Sequence, residues 1–338
     1  MLVLGERRKR SGTMESGTMQ GDKNPVVEDA AWLAAVESGR ARPNTMAAMA
    51  QRNPAGRSPG KASRAGLFSI CGNPDCDSGW LHLWRSRSAP IFEDQWSCSA
   101  GCTVTQIEVG VRRELAGKRI DPTPHRHRVP LGLVMLEQGW INSEQLRRAL
   151  EAQRETGQGK LGQWLILQQN IPEYLVTRAL GLQWNSPVLS LDRHDPQAMA
   201  SILPRLFLDA FAVLPLRIAA GQILYLGFED RLDPVVALAA ERMTGLRVEA
   251  GLVRESSFQL AHRRMLEAAF PATELIEASS ASSLARALGK AVERVKPMQS
   301  KLIRMHDCLW LRMWRRPPAE AIPEISAVED VIASLAAH

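Results

Sequence analysis

A pattern of 24 residues occurs twice in this chain, as PLGLVMLEQGWINSEQLRRALEAQ over 130–153 and as KLGQWLILQQNIPEYLVTRALGLQ over 160–183. The copies are offset by 30 positions and share eight identical residues. The identical pairs are Leu131/Leu161, Gly132/Gly162, Gln138/Gln168, Ile141/Ile171, Arg148/Arg178, Ala149/Ala179, Leu150/Leu180 and Gln153/Gln183. Within each copy the apolar residues recur at spacings of three and four, which predicts helices. We therefore expect a duplicated helix–turn–helix unit.

Residues that begin and end helices occupy corresponding places in the two copies. Gly139 and Asn170 favour the backbone conformation that ends a helix, and Asn142 and Pro172 are typical of helix starts. The closing polar pair, Gln153 and Gln183, has two interpretations. These residues are either exposed helix ends or matched ligand contacts in a pseudo-symmetric site.

The chain after the repeat alternates between strand and helix patterns. The apolar periodicity predicts strands over 212–218, 222–228 and 246–251, helices over 233–243 and 255–266, and a hairpin turn at 219–221. This order indicates a small lobe of mixed helix and strand. The predicted fold class is α+β, with a tandem helical repeat lobe and a small αβ lobe.

The repeat resembles a known protein family. The order Leu-Gly-x2-Φ-Φ-x2-Gly-x-Ile-x4-Leu-x2-Ala-Leu-x2-Gln, twice in tandem, is similar to the N-terminal domain of type II secretion and type IV pilus assembly ATPases, the GspE N-terminal or MshEN-like module. The likeness continues through PVLSL (187–191), AVLPLR (212–217), GQILYL (221–226) and TGLRVE (244–249). It spans 129–266 and implies the same two lobes.

Some members of that family bind the bacterial second messenger cyclic di-GMP through the two repeats, so the resemblance implies this ligand. The contacts carried over to this sequence are Arg128, Leu131, Gly132 and Gln153 for the first repeat, Lys160, Leu161, Gly162 and Gln183 for the second, and Asp230 in the αβ lobe. The repeats begin with Pro130 and Lys160, where the family usually has arginine. Lysine attracts a phosphate but lacks the planar guanidinium group, whose paired N–H donors recognise guanine.

The ATPases carry a motor domain with a Gly-x4-Gly-Lys-Ser/Thr phosphate loop, and this sequence contains no such motif. In Gly157-Gln-Gly-Lys160 the next residue is Leu161, where the loop needs a hydroxyl to bind magnesium. We therefore expect no ATP hydrolysis. No other catalytic constellation stands out, and the chain is predicted not to be an enzyme.

Four of the five cysteines lie in one short segment, as Cys71-x4-Cys76 and Cys98-x3-Cys102. Two close pairs of thiols separated by a short stretch are typical of a zinc-ribbon-like site, and soft sulfur ligands favour zinc. A segment of this size also gains from a metal because its apolar core is small. Structural zinc is the preferred interpretation. Free or redox-active thiols and an iron–sulfur centre are the alternatives.

Charge and composition bound the remaining possibilities. The net charge of +6 arises almost wholly in residues 1–66, where 11 Lys and Arg oppose 6 Asp and Glu. This basic stretch is predicted to be a disordered tail, so we do not expect the folded part to bind nucleic acid. We see no run long and apolar enough for a transmembrane helix and no signal-peptide order, and we expect a cytoplasmic protein.

Four segments follow from these patterns: the tail over 1–66, the four-cysteine module over 67–118, the MshEN-like domain over 129–266, and a C-terminal segment over 284–338. Residues 272–283 are predicted to be a linker. The C-terminal segment is expected to hold an amphipathic helix over 284–295, an apolar strand-like stretch over 302–314 and a short helix near 327–336.

The predicted function is that of a non-enzymatic regulatory or adaptor protein of a secretion or type IV pilus-like system. It is expected to dock on a protein partner of that machinery and to sense cyclic di-GMP through 130–183. One alternative is a structural protein–protein interaction module with a zinc staple and no nucleotide site. The other is a nucleic-acid-binding zinc-ribbon protein.

Overall fold

The computed structural model describes residues 71–77, 89–117, 129–317 and 321–336. The predicted tail over 1–66 and the candidate contact Arg128 lie outside these ranges. The described residues form a mixed helix and sheet structure, as expected for the α+β class, and four cysteines cluster ahead of the repeat. No helix in these ranges is both long and apolar enough to cross a membrane.

The repeat folds as two helix–turn–helix units. Its helices are α2 (Leu131–Glu137), α3 (Ser143–Thr156), α4 (Leu161–Gln169) and α5 (Glu173–Trp184). Asn142 caps α3, and its side chain accepts a hydrogen bond from the Gln145 N–H at 2.8 Å. Gly139 and Asn170 adopt φ angles of 67° and 51° after α2 and α4. The helix starts and stops predicted from the sequence are therefore confirmed.

The second lobe begins with two short helices, α6 (Pro196–Met199) and α7 (Arg205–Phe211). It continues with β3 (Val213–Ala219), β4 (Ile223–Phe228), α8 (Pro234–Thr244), β5 (Arg247–Leu252) and α9 (Glu255–Leu266). β4 pairs antiparallel with β3 and parallel with β5. The predicted boundaries are correct to within one residue. The family-like strand over 187–191 is reduced to a single bridge between Val188 and Leu252.

The C-terminal region forms a four-stranded sheet. Its elements are β6 (Ala272–Ala278), α10 (Ala281–Val295), β7 (Gln299–Met305), β8 (Cys308–Trp314) and β9 (Val328–Leu335), and the strand order is β6-β9-β8-β7. The predicted amphipathic helix and apolar strand-like stretch are confirmed, the latter as the hairpin of β7 and β8.

Two predictions for this region are wrong. Residues 272–278 are a strand rather than a linker, because β6 pairs with β9 along its whole length. Residues 328–335 are a strand rather than a helix. β9 lies between β6 and β8, so its backbone groups are paired on both sides and its β-branched Val331 and Ile332 are buried.

The cysteine segment packs on this sheet. It contains the two-residue strands β1 (Ile91–Phe92) and β2 (Gln95–Trp96) and the helix α1 (Ala100–Ala116). Ile107 and Val111 of α1 are fully buried in one apolar core with Leu288 of α10 and Leu311 of β8. At the C-terminal end of α1, the Glu114 carboxylate lies 2.9 Å from Arg242 of α8. This arrangement fixes the helix that carries the second cysteine pair.

Candidate functional site

The four cysteines predicted to bind metal converge on one point. The Sγ atoms of Cys71, Cys76, Cys98 and Cys102 all lie within 4.8 Å of one another. Cys98 Sγ is 3.4 Å from Cys76 Sγ and 3.6 Å from Cys102 Sγ. Four sulfur ligands at ~2.3 Å from a tetrahedral centre are separated from one another by about 3.8 Å. The cluster therefore has dimensions that fit one metal ion.

Local structure explains why the thiols meet. Ser99 caps α1 by accepting a hydrogen bond from the Cys102 N–H at 3.2 Å, so Cys98 directly precedes the cap and Cys102 lies in the first turn of this helix. The other pair lies on a tight loop in which the Cys76 N–H donates to the Asn73 carbonyl. The Gly72 N–H donates to the Trp96 carbonyl at 2.8 Å and attaches this loop to β2.

Hydrogen-bond donors surround the sulfur atoms. The Cys98 N–H points at Cys71 Sγ, and Asn73 Nδ2 points at Cys102 Sγ, both at 3.4 Å. Burial raises the pKa of Cys71 to about 12, although the backbone N–H groups of Cys98 and Asn73 act in the opposite direction. A divalent cation reverses this balance because it stabilises the thiolate form. Asn73 is a residue that sequence reasoning missed, and its place between Cys71 and Cys76 was the available signal.

The start of each repeat, residues 129–132 in the first and 159–162 in the second, is called its head. The Leu-Gly pairs of the two heads contact each other. A Cβ atom at Gly132 would lie 3.3 Å from Leu161 Cδ2, and one at Gly162 would lie 3.6 Å from Leu131 Cδ2. Each glycine also lies under a side chain of its own repeat, Leu146 in the first and Val176 in the second. The equivalence of these contacts under the 30-residue offset gives the lobe an internal pseudo-two-fold symmetry.

The closing glutamines follow the same symmetry. Gln153 Nε2 donates to the carbonyl of Gly159, just before the second repeat, and Gln183 Nε2 donates to the carbonyl of Val129, just before the first. Both distances are 2.8 Å. Each repeat thus fixes the head of the other one. Both glutamines are half-buried and lie in the last turns of α3 and α5.

Lys160 connects the second repeat to the αβ lobe. Its Nζ lies 3.0 Å from Asp230 Oδ2. Partial burial lowers the pKa of Lys160, but Asp230 and Glu255 outweigh that effect, and the pKa is raised overall. The contact continues through the Ser256 hydroxyl, which donates to the Glu173 carboxylate at 2.6 Å. Glu173 and Ser256 carry no sequence signal for this contact because its partners lie 83 residues apart.

The predicted ligand contacts fall into three groups. Leu131, Gly132, Leu161 and Gly162 meet at the junction of the repeats. Gln153 and Gln183 each lie at one head, and Lys160 is paired with Asp230. Their role toward a ligand stays a prediction.

Adding a methyl group at Gly132 tests the close packing of the heads. Its Cβ would lie 2.6 Å from Leu146 Cδ1, so Gly132→Ala is expected to lower the free energy of unfolding by about 1–3 kcal/mol in urea titrations. Gly101→Ala on α1 is the control, since its new Cβ would meet only Ser99 Oγ at 3.8 Å. Equal stability changes in the two variants would contradict the packing assignment.

Comparisons with known proteins give partial similarities. No family model matches the chain. It is 32% identical over 126 residues to bacteriophage adsorption protein B of Escherichia coli K12 and to bacteriophage N4 adsorption protein B of Escherichia coli O157:H7. Each match covers 37% of this chain and 16% of the relative, so the chain spans about a sixth of the length of these curated relatives.

Two solved structures resemble part of the chain. A structure of MshE with cdg is 26% identical, covers 41% of this chain and 99% of its own, and has a TM-score of 0.32. The N-terminal domain of XpsE is 20% identical, covers 40% of this chain and 91% of its own, and has a TM-score of 0.28. Both resemblances are weak and are confined to less than half of this chain.

Proposed function

We propose that this chain is a non-catalytic regulatory or adaptor module of a secretion or type IV pilus-like system, and that its repeat lobe binds cyclic di-GMP. The repeat pattern over 130–183 suggests the class of system. The observation that carries the ligand proposal is the equivalence of two hydrogen bonds. Gln153 of the first repeat donates to the chain just before the second repeat, and Gln183 of the second repeat donates to the chain just before the first. We also propose that the four cysteines hold a structural zinc ion.

Symmetry connects the lobe to this ligand. Cyclic di-GMP is two-fold symmetric, with one guanine and one phosphate in each half, and the two repeats offer equivalent groups in equivalent places. Each glutamine amide is oriented because its Nε2 donates to a backbone carbonyl. Its Oε1 is then the atom that accepts from the N–H groups of a guanine edge.

The two halves of the proposed site differ in charge. Lys160 supplies a cation at the head of the second repeat, whereas the first repeat has Pro130 at that place. Lys160 also pairs with Asp230, so a phosphate must compete with this carboxylate. We therefore expect binding to be weaker at high salt, because attraction between an exposed lysine and a phosphate is screened.

Calorimetry of the full chain with cyclic di-GMP tests the proposal. Lys160→Gln is expected to weaken binding by about 10–100-fold, and Gln153→Ala or Gln183→Ala by about fivefold each. Gln168→Ala is the matched control, because Gln168 is an exposed glutamine of the same repeat outside the heads. No heat and no thermal shift at micromolar cyclic di-GMP would refute the ligand.

The second candidate is a structural protein–protein interaction module with a zinc staple and no nucleotide site. The observation favouring it is that Gln153, Gln183 and Lys160 all have partners within the chain. Under this alternative the glutamine variants lower the melting temperature and cyclic di-GMP leaves it unchanged in the unaltered protein.

A further inference from the structure

β6 is an edge strand with an open side. Among the described residues it pairs with β9 and with no other strand, and its seven residues pair without a register shift. Leu275 at its centre is 66% exposed. A regular edge strand that presents unpaired backbone groups and an exposed apolar side chain is a template for another strand.

The backbone direction of β6 can be assigned residue by residue. The carbonyl of Ala278 accepts a hydrogen bond from the Ala336 N–H at 2.9 Å, so Ala278 points its backbone groups toward β9. Successive residues of a strand point these groups to opposite sides. The N–H and C=O groups of Thr273, Leu275 and Glu277 therefore face the open edge.

We propose that β6 pairs antiparallel with β6 of a second copy of this chain, about a two-fold axis that passes beside Leu275. This register pairs Leu275 with Leu275 of the second copy and Thr273 with Glu277 in both directions. These are the residues whose backbone groups face outward, so the pairing forms six N–H···O bonds. It joins two four-stranded sheets into one of eight strands.

The side chains suit a self-complementary interface. In this register Glu277 lies opposite Thr273, and Glu274 lies opposite Ile276, so no two carboxylates face each other. A groove beside β6 is lined by Glu274 and Glu277 of the strand and by Lys290 and Arg294 of α10. Arg294 already pairs with Glu274 at 2.8 Å within the chain. Glu277 and Lys290 remain as one acidic and one basic group of the groove, and groups of opposite charge allow this surface to match its own copy across a two-fold axis.

Sedimentation equilibrium of the full chain tests the proposal, with a dimer as the expected result at micromolar concentration. Leu275→Pro removes an N–H that faces the open edge and keeps the bonds to β9, since proline is tolerated on edge strands with the N–H outward. Leu275→Lys places two like charges on the axis. Both variants are expected to be monomeric, and Leu260→Lys on α9, where the leucine is 48% exposed, should remain dimeric.

A charge pair at residue 273 tests the register. Thr273→Glu puts a second carboxylate opposite Glu277 and is expected to raise the dimer dissociation constant about tenfold, whereas Thr273→Lys should not weaken the dimer. If the unaltered chain sediments as a monomer at a protein concentration of about 100 micromolar, the proposal is overturned. A dimer that tolerates Leu275→Lys would also overturn it, and this variant decides the matter if Leu275→Pro does not fold. A monomer that binds a partner protein through β6 would identify a foreign strand as the occupant and equally refute the second copy.

Discussion

Replacing Asp330 by alanine is expected to lower the free energy of unfolding by about 3–5 kcal/mol. The Asp330 side chain is fully buried in β9 and binds Arg312 of β8 in two places, Nε to Oδ1 and Nη2 to Oδ2, both at 2.8 Å. It also accepts a hydrogen bond from Trp310 Nε1 at 2.7 Å. Its removal leaves a guanidinium buried without its counter-charge.

The destabilisation caused by Asp330→Ala should extend from the C-terminal sheet to the αβ lobe. Arg312 Nη1 also donates to the carbonyls of Ser201 and Ile202, at 2.9 Å each, so the ion pair ties the C-terminal sheet to the αβ lobe. Urea unfolding of Asp330→Ala is the measurement, and Asp209→Ala, at an exposed aspartate of α7, is the control.

A double variant separates the ion pair from general damage to the core. Arg312→Met together with Asp330→Ala removes both charges, so its destabilisation should be smaller than the sum of the single effects by about 0.5–3 kcal/mol. Additive effects would show that Asp330 acts by packing alone. A change below about 1 kcal/mol in Asp330→Ala would contradict the assignment.

Asp330 also shows where sequence reasoning fails. The segment around it was predicted to be a short helix, yet it forms β9, because β6 and β8 supply backbone partners on both sides. β6 was also missed. Its apolar residues Leu275 and Ile276 lie between glutamates, so the segment has the composition of a linker. Both strands are specified by long-range pairing, and local periodicity does not report it.

Local signals were sufficient elsewhere. α9 runs from Glu255 to Leu266 as predicted, and Asn142 caps α3 as predicted. Both features could be predicted because they depend on residues close in sequence. In the candidate sites, cysteine spacing predicted the cluster of thiols. The partners of Gln153 and Gln183 could not be predicted, because their identity depends on how the two repeats fold against each other.

The second large effect is expected at the cysteines. If the four thiols hold structural zinc, Cys98→Ser or Cys102→Ser should reduce bound zinc from about one equivalent to less than half and lower the free energy of unfolding by more than about 3 kcal/mol. The reason lies in α1. Cys102 is on the first turn of this helix, and further along the same helix Ile107 and Val111 are fully buried in the core shared with α10 and the sheet.

Loss of the metal should weaken the contacts that α1 makes at both of its ends. Near the cysteines, the Thr103 hydroxyl donates to Glu293 of α10 at 2.7 Å, and at the far end Glu114 binds Arg242. Cys308→Ser is the matched control, since Cys308 is a partly buried cysteine outside the cluster. It is expected to keep the full zinc content and to change stability by less than about 1 kcal/mol.

The nature of the metal requires its own measurement, because four thiolates also suit an iron–sulfur centre. Elemental analysis of freshly purified protein should give zinc and no iron, and the protein should be colourless. A chelator should lower the melting temperature of the unaltered protein to that of Cys98→Ser and leave this variant unchanged. Less than about half an equivalent of zinc in the unaltered protein, or a chelator effect equal in both proteins, would exclude a structural zinc ion and favour free or redox-active thiols.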